Sequence, residues 1–283
     1  MLINIENMFL IIIALIWMIG AVLQDLRRRE VDNVWNFSLI GFALAYRLAV
    51  SAFNGDYLFI LNGLIGLGVF FFLGNLFYYS RMFAGGDAKL LISLGAILPL
   101  SYNLITNLKI FGIFIIGFLI LGSLYVLIWA IFLMIRNWKV FRKEFIKQWK
   151  RYEKMFLIFF IVIIVLMLIL VILGISVFIV ITGVILLFPI LFIFAKSIEE
   201  SCMVKGISPR KLTEGEWLYK DIRVGKKKIK ASWEGVSSSE LRLIKKNYKK
   251  KVLIKLGIPF TPSFLLGFLV LLFILYRYGM VLS

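Results

Sequence analysis

The chain has 283 residues, 62% of them hydrophobic, and its 33 Lys and Arg against 15 Asp and Glu give a formal net charge of +18. Histidine is absent and Cys202 is the single cysteine, which excludes Ser-His and Cys-His nucleophile pairs, an H-E-x-x-H zinc site, an intrachain disulfide and a cysteine zinc ribbon. Any catalysis must come from carboxylates, Ser/Thr, Lys or Tyr, and several apolar runs of about 20 residues are long enough to cross a bilayer.

The first span is expected over about Met8 to Leu23, preceded by Glu6 alone and followed by Asp25 and Arg27-Arg28-Arg29. A cleavable signal peptide carries its positive charge before the apolar run, so this segment reads as an anchor with its N-terminus outside. A second span, about Val34 to Ala52, ends at an Asn54-Gly55-Asp56 turn, and a third, about Leu58 to Tyr79, ends near Arg81. The fourth, from Asp87 to Pro99, is too short to cross alone and is expected to be shielded or partly re-entrant. The fifth runs from Ile110 to Ile135, where Gly112, Gly117 and Gly122 permit close helix contact.

A basic cytoplasmic loop, 136–154, leads to an apolar block, 155–195, that is too long for one span and carries basic residues at both ends; a hairpin turning near Gly174 to Ser176 satisfies both facts. Residues 196–257 form a polar module in which the alternation Lys220-Asp221-Ile222-Arg223-Val224-Gly225 predicts a small β-containing, cytoplasmic unit. A last span falls within 258–283. The expected fold is a polytopic all-α membrane bundle of about eight spans with an appended α/β or β-containing module, the core occupying 1–135. Most Lys and Arg lie in the two polar segments between spans, a pattern of cytoplasmic loops facing anionic lipid headgroups rather than of nucleic-acid binding.

An ionisable residue at membrane depth is costly and marks function by default. Two acids stand out, Asp25 at the end of the first span and Asp87 at the start of the fourth. Two complete spans lie between them, so parity brings both carboxylates to the cytoplasmic face. Asp87 follows Ala84-Gly85-Gly86, where glycines allow unusual backbone angles and close approach, and it heads an apolar helix whose dipole favours negative charge. Carboxylates forced together cannot both ionise easily; one can then activate water while the other protonates a scissile carbonyl. Taken singly, Asp25 beside three arginines reads as a surface ion pair and Asp87 as a helix cap.

The residues Phe83-Ala84-Gly85-Gly86-Asp87-Ala88-Lys89-Leu90 resemble the G-x-G-D-x-K-L signature of the prepilin peptidase family, and Asp25-Leu26-Arg27-Arg28-Arg29-Glu30-Val31 resembles its first aspartate segment. The likeness covers about Met8 to Leu121. A further stretch, Gly257-Ile258-Pro259-Phe260-Thr261-Pro262, is similar to the segment before the last span of archaeal preflagellin peptidases. Ala84 replaces the first signature glycine, and Asp32 stands where a proline often follows the first aspartate. The resemblance implies a six-span core with an added hairpin at 155–195. It also implies an intramembrane aspartic peptidase that removes short basic leaders from archaellin or pilin-like precursors, with Asp25 and Asp87 catalytic, Gly85 and Gly86 shaping their loop, and no metal or cofactor. Lys89 is a supporting candidate, with snorkelling to headgroups the alternative. Asp32, Glu30, Glu214, Glu216 and Asp221 are candidate acids for a basic leader, each also readable as a solvated loop acid.

Three rival readings use the same residues. An ion-coupled transporter would place Asp25 and Asp87 in a cation or proton site, but such folds carry repeats and midplane acids. A presenilin-like protease would share the Gly-Asp chemistry, though Asp25 is not preceded by Tyr. A Ser-Lys peptidase through Ser201 and Lys205 lacks any supporting motif.

Overall fold

In hydrocarbon every backbone N–H and C=O must find a partner within its own segment, so apolar runs of this length become helices. The computed structural model describes residues 5–174, 182–225 and 227–282. Among them are seven helices long and apolar enough to span a membrane. The chain divides into two units, Met1–Leu127 with Ile258–Ser283, and Ile128–Gly257.

The first unit contains α1 (Ile5–Arg28), α2 (Asn33–Asn54), α3 (Leu58–Tyr79), the short α4 (Gly85–Gly95), most of α5 (Leu104–Arg136) and the last helix, which starts at Thr261. On α1 the buried positions Leu10, Ala14, Met18 and Ala21 recur every three or four residues, one face of a helix, and Asp25 continues that inward stripe. Ile12, Ile16, Ile19 and Leu23 form the exposed stripe. α1 and α2 are joined by reciprocal indole bonds: Trp17 Nε1 donates to the Trp35 carbonyl at 3.1 Å, and Trp35 Nε1 to the Trp17 carbonyl at 2.8 Å.

α4 spans only Gly85–Gly95 and is the shielded element expected from its length: Leu90, Leu91, Leu94, Ala96, Ile97 and Leu98 are all buried. Lipid gives apolar helices little reason to associate beyond close van der Waals packing and hydrogen bonds. Small residues supply that closeness between α3 and α4. A Cβ built on Gly66 would sit 2.4 Å from the Gly95 carbonyl oxygen, and one on Gly74 would sit 2.6 Å from Ile92 Cγ1. The glycines singled out on α5 behave differently. Gly112 and Gly117 face open space, and only Gly122 meets a neighbour, Phe260 at 2.9 Å.

Behind α4 lies a fully buried cation, Arg47 of α2. Its guanidinium donates to the carbonyls of Phe59 (2.9 Å), Ala96 (2.9 Å), Ile97 (3.2 Å) and Pro99 (2.6 Å), and its Cζ stands 4.5 Å from the Phe59 ring centre. The planar fork of arginine suits this task, because the chain leaving α4 turns within apolar surroundings and its carbonyls would otherwise have no donor. Gly63 leaves the room: a Cβ there would lie 2.4 Å from Arg47 Cδ.

The second unit differs from the sequence expectation at its start. Residues 136–154, read as a basic loop, are helical apart from a one-residue break at Asn137: Arg136 ends α5, and residues 138–154 form the first turns of α6 (Trp138–Ile172). The density of Lys and Arg argued for exposure, and a half-exposed helix satisfies exposure as well as a loop does. The expected hairpin turn falls partly at Gly174, which takes a left-handed φ of 71°, and partly at residues outside those described. Its second arm, Thr182–Cys202, includes α7 (Phe188–Cys202). α6 and α7 pack through Phe141 on Phe194 and Tyr152 on Phe192.

The polar module is built on β strands, as its alternation predicts. β1 (Val204–Ile207), β2 (Trp217–Leu218) and β5 (Val252–Lys255) form an antiparallel sheet in the order β1-β5-β2, while β3 (Ile222–Val224) and β4 (Lys227–Ile229) form a hairpin. Leu212, Leu218, Val224, Ile229, Val236, Ile244, Val252 and Ile254 make its core. Its helix, α8 (Ser238–Asn247), begins with a Ser237/Glu240 capping box. The last helix is α9 (Thr261–Leu282).

Candidate active site

Asp25 lies three residues before the end of α1, where the backbone stops being helical: Arg29 takes a left-handed φ of 58° and its N–H closes on the Asp25 carbonyl at 2.7 Å. Its side chain is only 6% exposed. It forms no surface ion pair with the adjacent arginines; Arg28 instead pairs with Asp32 at 2.7 Å. The partner of Asp25 is Thr261, the first residue of α9. Thr261 donates its backbone N–H (3.0 Å) and its hydroxyl (2.8 Å) to the same oxygen, Oδ2. Among the described residues, no hydrogen bond reaches Oδ1.

Asp87 arrives from the other direction. The chain leaves α3 through Arg81, at a left-handed φ of 62°, with the N–H groups of Met82 and Phe83 both closing on the Phe77 carbonyl. Ala84 then caps α4 with extended backbone, and Asp87 falls in the first turn. It is therefore not the cap residue. The loop is pinned by Phe83, buried among Phe77, Phe118, Phe260 and Phe264 with ring centres 4.8–6.1 Å apart. Phe260 immediately precedes Thr261. One short segment thus packs on the loop that leads to Asp87 and holds the carboxylate of Asp25.

The two acids are brought to one end of the bundle. A Cβ on Gly86 would lie 3.7 Å from the backbone nitrogen of Val31, so the Asp87 loop rests against the turn that follows Asp25, and Asp25 lies within electrostatic range of Asp87. Tyr125 of α5 lies within range of Asp25 as well. The glycines contribute differently from the expectation. Neither Gly85 nor Gly86 takes a left-handed angle, since both begin a regular helix. What they leave is space beside Val31 and Tyr78.

The supporting candidates separate. Lys89 Nζ donates to Asn33 Oδ1 at 2.7 Å, tying α4 to the start of α2 rather than reaching a carboxylate. Asp32 is taken by Arg28, Glu214 accepts from the Ser238 N–H at 3.1 Å, Glu216 accepts from the Thr213 N–H at 2.9 Å, and Asp221 pairs with Lys228 at 2.8 Å. Ser201 donates to the Ser197 carbonyl at 2.5 Å and lies 3.2 Å from Cys202 Sγ; no hydrogen bond between it and Lys205 is found among the described residues. Thr261 is the residue that sequence reasoning did not place at the site. The Thr-Pro start of α9 was visible as a helix beginning, yet nothing local announces a partner 236 positions away.

Comparison with known proteins finds similarity over this part of the chain. Residues 12–136 match the type IV leader peptidase family, a stretch that contains both aspartates. The preflagellin peptidase of Methanocaldococcus jannaschii is 37% identical over 94 residues, 33% of this chain and 39% of that protein. Those of Methanococcus maripaludis and Methanococcus voltae are 36% and 29% identical over 89 residues each, 31% of this chain and 38% and 37% of theirs. Each match therefore spans less than two fifths of the relative's own length. No solved structure matches the chain. Over residues 12–136, which hold both Asp25 and Asp87, the chain is similar to the type IV leader peptidase family.

Proposed function

We propose that the chain is a membrane aspartic endopeptidase that removes the short basic leader from archaellin or pilin-like precursors, cutting at the cytoplasmic boundary of the cell membrane. The observation that carries this reading is the convergence of Asp25, held by Thr261 at the end of α1, and Asp87, in the first turn of α4, on one end of a helical bundle. The match to curated preflagellin peptidases supports the substrate class.

In the proposed reaction one carboxylate of the dyad takes a proton from water as its oxygen attacks the scissile carbonyl carbon. The other carboxyl gives its proton to the developing oxyanion. Collapse of the tetrahedral intermediate breaks the C–N bond, the amine leaving with a proton from the dyad. Neither cofactor nor metal takes part. The apolar helix of the precursor stays among the spans while its basic leader lies on the cytoplasmic side, drawn there by anionic headgroups.

The test is to mix membranes containing the full chain with archaellin and pilin precursors and to read leader release by mass spectrometry. One cut, between the basic leader and the apolar helix, supports the reading. Precursors left whole by well-expressed protein would overturn it.

A further inference from the structure

An open furrow runs along the first unit, with walls from α2 and α3 and its floor from α4, enclosing about 670 Å³. The dyad does not use it, although Gly85 and Ala88, close neighbours of Asp87 in the chain, line it. Over most of its length it is apolar, lined by Phe37, Leu64, Leu67 and Phe71. Its polar groups, Asn75, Tyr78 and Lys89, gather where α3 ends and α4 begins, the end at which Asp87 sits. Gly68 lies in the wall, and a Cβ there would meet nothing within 4 Å. Lys89 is held by the neutral Asn33 and has no carboxylate partner among the described residues.

An apolar trough with hydrogen-bonding groups at one end fits an occupant that is itself apolar along most of its length and polar at one end. A transmembrane helix preceded by an extended peptide has that pattern, and a helix 10–12 Å wide would lay the side chains of one face into a furrow of this size. We propose that the furrow seats the apolar helix of the precursor, its beginning toward Lys89, so that the peptide just ahead of the helix is delivered to the dyad. Lys89 then donates to carbonyls of that extended stretch, a role distinct from acting on the aspartates. The proposal rests on the peptidase reading above and adds where the substrate lies.

Gly68 provides the test, because it lines the furrow and a Cβ there meets nothing within 4 Å, so side chains of increasing size there occupy increasing amounts of it. Cleavage would be measured in membranes for Gly68→Ala, Gly68→Leu and Gly68→Phe, with Gly41→Phe as the control. Gly41 is also an exposed glycine with open space around it, but it lies outside the furrow. In parallel, a photoreactive amino acid would replace the exposed Phe71, or Ile16 on the outer stripe of α1 as control. Cleavage should fall progressively with side-chain size, by about tenfold or more at Gly68→Phe and chiefly through KM, as expected when binding is blocked rather than chemistry. Gly41→Phe should stay near wild type, and Phe71 but not Ile16 should cross-link to the precursor's apolar helix. Unchanged cleavage in Gly68→Phe, or cross-links from Phe71 to lipid alone, would overturn the proposal and make the furrow a lipid site. If Gly68→Phe fails to insert, the smaller variants and the cross-link decide. A wild-type protein that cuts no precursor would fail the peptidase reading, and this proposal with it.

Discussion

Thr261 donates both its backbone N–H and its hydroxyl to a single oxygen of Asp25, at 3.0 and 2.8 Å, across 236 positions of sequence. The two bonds fix the carboxylate's orientation through one oxygen, and no hydrogen bond among the described residues reaches the other. A hydrogen bond to a charged group contributes about 1.5–3 kcal/mol. Thr261→Val keeps the shape and the backbone N–H but loses the hydroxyl, and it should lower kcat by about 10- to 100-fold. Thr261→Ser should restore most of the loss. A merely structural threonine would show the reverse, with Val tolerated, and kinetics of precursor cleavage distinguish the two.

The helix that carries Asp87 is held from behind by Arg47, whose four carbonyl partners are all bound by one guanidinium. Arg47→Met would remove the donor to the Ala96, Ile97 and Pro99 carbonyls in apolar surroundings and should cost about 3 kcal/mol or more. Arg47→Lys offers a compact ammonium in place of the planar fork and should be intermediate. Thermal unfolding in detergent would read the order Arg, Lys, Met; equal stability of all three would show that the carbonyls find other donors.

Two glycines of similar appearance in the sequence should respond oppositely to alanine. At Gly66 the added methyl would collide with the Gly95 carbonyl and Pro99, forcing α3 away from α4 at a cost of about 1–3 kcal/mol. At Gly112 it would meet open space and gain up to about 1 kcal/mol of helix propensity. Unfolding midpoints that move together in the two variants would contradict this packing.

These contrasts mark how far the sequence could be read. Helices come through clearly because lipid imposes them on any long apolar run, and the third span, Leu58 to Tyr79, matches α3 to the residue. Parity placed Asp25 and Asp87 at one end of the bundle because counting crossings requires no knowledge of packing. The alternation around Ile222 and Val224 predicted strands for the same local reason. What stayed hidden depends on distant partners. Gly112 and Gly66 look alike until the facing helix is known, and Thr261 looks like an ordinary helix start. Arg47 does carry a local signal, a cation inside an apolar span, but its carbonyl partners lie 12 to 52 positions away and show only in the fold. The stretch 136–154 misled because charge density reports exposure, which a half-exposed helix and a loop share.

The dyad itself is tested most directly by cleavage of a precursor in membranes containing wild type, Asp25→Asn or Asp87→Asn at matched expression and insertion. Asparagine keeps the size of aspartate but neither supplies nor accepts the proton the reaction requires. Both variants should lose cleavage by about 1,000-fold or more, since acid–base catalysis contributes roughly 10²–10⁴ and the two groups act as one unit. Cleavage near the wild-type rate in either variant would contradict the account.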